Sequence, residues 1–167
     1  FESGMLSASK QMYLYAREDV PVTIYYAYKQ SDSDADGTAS SGWETMLNSI
    51  VKAGFAITGT WPMRTERGNR MRGNGSNALA SSIVLVCRKR PEDAPQTTRR
   101  NLIATLRHEL RPALKKLQAS NIAPVDLAQS AIGPGMGVFS RYRRVLEAGG
   151  TPMSVRSALQ IINEELD

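Results

Sequence analysis

Arg64, Arg67, Arg70 and Arg72 crowd a single glycine- and asparagine-rich segment that begins three residues after Trp61. A guanidinium is planar and pairs in a fork with phosphate oxygens or with the edge of guanine, and an indole ring stacks on a base. These five residues are therefore the candidate nucleic-acid contacts. The competing reading is a solvated loop beside a partly buried strand aromatic. Other groups invite weaker readings. Lys29 and Gln30 end a strand-like YYAYKQ run, where ligands of open α/β sheets collect, or they meet water there. The run RRNLIATLRHELRPALKK either lies along phosphates or presents a charged face to solvent. Ser140, Arg141, Tyr142 and Arg143 form a patch suited to phosphate contact or to packing on a partner domain. Metal and hydrolytic chemistry find little support, because His108 is the only histidine and Cys87 the only cysteine.

The balance of charge agrees with a polyanionic partner. The 167 residues carry a formal net charge of +5, and lysine and arginine gain affinity by displacing the counterions condensed on a phosphate backbone. A hydrophobic fraction of 41% suits a globular chain. The sequence opens on Phe1, without the basic stretch, apolar run and small-residue cleavage site of a secretory signal, and reads as a piece cut from a longer protein. It holds no apolar run of about 18 residues, so no membrane span is expected. A lone cysteine inside SSIVLVCRK reads as a buried strand thiol and fits a reducing cytoplasm.

The elements that must position these residues follow from periodicity. Residues 2–17 have a helical pattern ended by Pro21 and its neighbours. Residues 22–28 are β-branched, aromatic or alanine on both faces, as in a central strand. The segment 31–41 is a polar connection. From Gly42, the apolar positions Trp43, Met46, Leu47, Ile50 and Val51 follow the i, i+3, i+4, i+7 rule, with Gly54 placed to end the helix. AITGTWPM and SSIVLVCRK read as two more strands, the first with Pro62 at its exit, the second flanked on both sides. Strand, helix and strand imply a right-handed parallel crossover, after which the third strand can return antiparallel. Residues 91–97 read as a linker. Beyond it the spacing predicts a long helix capped by Thr97 or Thr98 and kinked at Pro112, then helices over 125–131, 137–148 and 155–166 separated by GPGMG and GGTPMS.

The stretches PVTIYYAYKQ, GWETMLNSIVKAGFAITGTWPMRTE, NALASSIVLVCRKR, DLAQSAIGPGMGVFSRY and PMSVRSALQIIN occur in this order over most of the chain. On them the chain resembles a bacterial and archaeal family of adenine-specific DNA methyltransferases whose longer members carry a zinc-ribbon insertion. The resemblance implies a class I, Rossmann-like α/β sheet whose last strand runs antiparallel between two parallel neighbours, with only the C-terminal part present. It implies methyl transfer from S-adenosylmethionine to the exocyclic amine of a flipped adenine in the whole protein. The family's glycine-rich donor loop and its Asp-Pro-Pro-Tyr stretch do not occur in this sequence. GPGMG is no substitute, since no strand precedes it. The resemblance thus assigns no catalytic residue here, and no tight donor binding is expected of the chain alone.

The fold expected from these readings is α/β: a three-stranded mixed sheet with flanking helices over residues 1–90, the 91–97 linker, and a helical subdomain over 98–167. DNA is the expected partner. A strand 22–28 deprived of a neighbour would leave an edge open to self-association or to cover by the first helix.

Overall fold

The computed structural model describes residues 1–26, 41–64, 81–119 and 124–166. Its elements are α1 (Glu2–Tyr15), β1 (Val22–Tyr26), α2 (Ser41–Ala53), β2 (Phe55–Arg64), β3 (Ser81–Lys89), β4 (Gln96–Thr98), α3 (Arg99–Ala119), α4 (Pro124–Ser140), β5 (Arg144–Leu146) and α5 (Val155–Glu164).

The first three strands form one sheet in the order β1-β3-β2. β3 runs antiparallel to both neighbours, so β1 and β2 point the same way on either side of it. This corrects the expected mixed sheet: the strand, helix, strand unit does carry β1 and β2 in one direction, but β3 inserts between them and both ladders are antiparallel. The continuous apolar run of β3 is explained by that central place, with Ile83, Leu85 and Cys87 buried on one face and Val84 on the other. Among the described residues β1 stands at an edge of the sheet, and its residues are half-buried or exposed in alternation.

On one face, Tyr26 stacks on Trp43 of α2 with ring centroids 5.5 Å apart, and Phe55 meets Tyr13 of α1 edge to face at 5.3 Å. Trp43, Leu47 and Ile50 all point into this core, as the helical spacing predicts. Gly54 ends α2 at φ +109°, and a side chain there would also strike the Tyr13 ring, 2.9 Å from the Cβ position. On the opposite face one cross-strand row places Tyr25, Val84 and Trp61 side by side. Val84 is buried between aromatics that are 60% and 67% exposed.

The tail departs most from its sequence pattern. GPGMG does not break a helix: α4 runs unbroken from Pro124 to Ser140 with Pro134 inside it. Packing is the reason. Gly133, Gly135 and Gly137 let α4 lie against Thr60, Ile162 and the Ile57 carbonyl at distances that a Cβ would obstruct or crowd. Pro134 cannot donate to the Ser130 carbonyl four residues back, and the Thr60 hydroxyl donates to that oxygen instead, at 3.3 Å. At the C-terminal end of α4, the Ile57 N–H donates to Ser140 Oγ at 2.8 Å. The helix thereby covers the outer edge of β2 and satisfies a strand donor that would otherwise be orphaned.

The helix expected over 137–148 is also corrected, since residues 144–146 form β5, parallel to β4. Val145 is buried there, and Gly150 at φ +78° turns the chain so that the Met153 N–H reaches the Val145 carbonyl at 2.8 Å. Pairing with a strand distant in sequence outweighs local helical preference in so short a segment. Thr98 caps α3, accepting from the Asn101 N–H at 3.4 Å, and Ser154 caps α5, accepting from the Ser157 N–H at 3.0 Å. One buried cluster joins Leu102, Leu106 and Leu110 of α3, Met136 and Phe139 of α4 and the apolar face of α5 to the sheet residues.

Candidate nucleic-acid interface

Trp61 is the sequence-predicted contact that the structure displays in full. It lies in the last half of β2, with its indole Nε1 3.5 Å from where Gly59 would carry a Cβ and two thirds of its surface exposed. Arg64 is the final residue of β2, opposite Ser81. Arg67, Arg70, Arg72, Lys29 and Gln30 lie outside the described residues.

Beside Trp61 a groove of about 920 Å³ opens between β2, α3 and α4. Ala113 on α3 and Gly133 and Gly137 on α4 are among its lining residues, while Lys116, Glu109 and Arg141 bring charge to it. Arg141 grips Glu109 in a bidentate pair at 3.0 and 2.5 Å and its Nε donates to the Gly137 carbonyl at 3.5 Å. Neither Lys116, Glu109 nor the lining glycines emerge from sequence as a site. The signal was present only as spacing: 109, 113, 116 and 117 share one face of α3, and 133 and 137 one face of α4.

Much of the remaining basic character is occupied in holding the fold. Arg90 is half-buried, and burial lowers its pKa. Its guanidinium donates to the Ser140 carbonyl at 3.1 Å and to Val51 at 3.3 Å, tying the C-terminal ends of α4 and α2, where helix dipoles favour a cation. Lys89 sits over the Tyr13 ring, 5.0 Å from its centroid. On α3, Arg99 pairs with Glu147 at 3.2 Å and Arg107 with Glu165 at 2.9 Å. Arg100, Arg111 and Lys115 form no ion pair with the described residues. The patch at 140–143 does not act as a unit, because Ser140 is buried beneath Ile57 while Tyr142 packs on the core.

Among the described residues no group of three or more histidine, cysteine or acidic side chains is placed to hold a metal, and His108 is exposed. The glycines of α4 are filled against Thr60, Ile57 and Ile162, so they do not form a cradle for a methyl donor. Cys87 is fully buried, and burial pushes its thiol from 9.0 up to about 12. In the unfolded chain the thiol ionises near its ordinary value, so the stability it lends is complete below about pH 9 and falls as pH rises toward 12. The stability gap between the wild type and Cys87→Val is expected to shift by about 2 kcal/mol between pH 8 and about pH 10.5, to the detriment of the wild type, in urea melts at each pH. An unchanged gap would mean the thiol is not shielded.

No helix among the described residues is long and apolar enough to cross a membrane. The chain matches no family model, no curated protein and no solved structure.

Proposed function

We propose that this chain is the closing part of the sheet of an S-adenosylmethionine-dependent, adenine-specific DNA methyltransferase, and that it adds basic surface on the side where DNA binds. The observation that carries the reading is the strand arrangement. β3 lies between two strands that point the same way and runs against both, which is the arrangement implied for the end of such a sheet by the sequence resemblance. Two further features support it. The outer edge of β1 has no strand paired to it among the described residues, and Tyr25 beside that edge is 60% exposed, so a preceding strand would find both backbone partners and apolar surface there.

In this reading the chain does no methyl transfer by itself. Donor and catalytic groups belong to other parts of the polypeptide, as the sequence resemblance implies. The role of this part is to complete the sheet, while Trp61 and the arginines from Arg64 to Arg72 meet the DNA. The setting is the cytoplasm, where DNA and S-adenosylmethionine meet. Taken alone, the chain offers the β1 edge to a second copy of itself.

A comparison of the longer polypeptide with this chain tests the proposal. The longer protein is expected to bind S-adenosylmethionine in a calorimetric titration and to transfer labelled methyl groups to duplex DNA. The chain alone is expected to do neither and to self-associate as its concentration rises in sedimentation runs. A longer polypeptide without donor binding would sink the reading. So would a chain that binds the donor unaided.

A further inference from the structure

We propose that the groove between β2, α3 and α4 seats an unpaired nucleotide of a single-stranded nucleic acid, with the base stacked on Trp61 and its phosphates met by Lys116 and Arg141. The inference does not rest on methyl transfer, and it gives Lys116 and Arg141 a role that the methyltransferase reading does not.

Three observations carry it. The first is the ring itself. An indole 67% exposed on a strand forgoes the burial that usually makes tryptophan worthwhile in a fold, and it stands at the wall of a concave surface. The second is shape. The groove has a volume of about 920 Å³, ample for a nucleotide, with the small side chain of Ala113 in its lining. The third is charge. Among the described residues the lining carries Lys116, Arg141 and Glu109, and Arg141 has guanidinium N–H groups to spare once Glu109 and Gly137 are served. Trp61 is also followed along the chain by Arg64, Arg67, Arg70 and Arg72, on a molecule of net charge +5.

The geometry favours a single strand over a duplex. In a duplex both faces of each base are stacked on neighbours, and only an unpaired base can offer its π-face to a side chain. Stacking of this kind tolerates any base, so an oligothymidylate serves as the probe.

The chain has two tryptophans, Trp43 and Trp61, and Trp43 is 1% exposed. Quenching of the solvent-exposed component of the emission therefore reports on Trp61. Titration with a short oligothymidylate is expected to quench that component and to bind more tightly than a duplex of equal length. Read by the anisotropy of a fluorescein-labelled oligothymidylate, which needs no tryptophan, Trp61→Ala should raise Kd about 5- to 100-fold, and Trp61→Phe should recover most of the loss. Lys116→Gln should raise Kd several-fold and flatten the dependence of log Kd on log salt. Thermal melts of each variant confirm that the fold is retained.

Wild-type affinity in Trp61→Ala would overturn the proposal. So would saturating binding with no change in emission, tighter binding to the duplex, or no binding to either nucleic acid. These outcomes are independent of donor binding: a failed donor titration leaves a single-strand site standing, and a failed oligothymidylate titration leaves the methyltransferase reading to its own test.

Discussion

Leu106→Ala is expected to lower the unfolding free energy by about 2–5 kcal/mol. Leu106 lies on α3 between Leu102 and Leu110, one turn away on either side, and all three are buried to 1% exposure or less. They belong to the same apolar cluster as Trp43, Phe55 and Leu85. Truncation removes the transfer free energy of the lost carbons and leaves a cavity whose walls, drawn from several elements, cannot all move in. Because the core is shared, helix and sheet should fail together. Urea melts followed by far-ultraviolet circular dichroism and by the emission of buried Trp43 should fall at one lower midpoint. Two separated transitions, with only the helical signal displaced, would show that the tail folds on a core of its own.

Gly133→Ala is expected to cost about 3 kcal/mol, although alanine is the better helix former by about 1 kcal/mol. A Cβ at this position would fall 1.7 Å from Thr60 Oγ1, 2.4 Å from its Cγ2 and 2.5 Å from its Cβ. Rotating Thr60 cannot clear all three, since the Cβ itself is in the way. α4 must lift from β2 or the strand must yield. Either movement also pulls the Thr60 hydroxyl from the Ser130 carbonyl, which Pro134 leaves without its helical donor. Gly4→Ala is the control. Gly4 sits within α1 with nothing inside 4 Å of its Cβ position, so there the same substitution should stabilise by roughly 0.5–1 kcal/mol. The pair of denaturation midpoints should move in opposite directions. A neutral or stabilising Gly133→Ala would mean that α4 does not lie this close to the strand.

Gly133 falls where local pattern was a poor guide. In GPGMG, glycine and proline ordinarily end a helix, and no local rule shows that these glycines are spent on the approach to Thr60, Ile57 and Ile162. The proline's missing donor is made good by a residue 70 positions away. Residues 144–146 became a strand for a similar reason, because their partner Gln96–Thr98 lies far off in sequence. In contrast, α2 was legible from its apolar spacing and its glycine stop, since burial of one helical stripe leaves a direct trace in residue order.

The candidate site divides in the same way. Trp61 was visible as a residue type next to an arginine cluster, because aromatic and basic chemistry belong to the side chain alone. Its exposure and its groove were not visible. They exist because α4 covers the β2 edge and brings α3 alongside, placing Lys116 and Arg141 near a ring distant from them in the chain.

Residue order alone thus determined that the chain forms α/β elements, which residues are fit to meet a polyanion, and where α2 and the three principal strands run. Tertiary structure decided the β1-β3-β2 order, the continuity of α4 and the groove beside Trp61. The physical division is one of range. Periodicity, capping and charge act between neighbours along the chain, whereas strand insertion and the close seating of glycines are settled by backbone hydrogen bonds and steric fit between segments that meet only on folding.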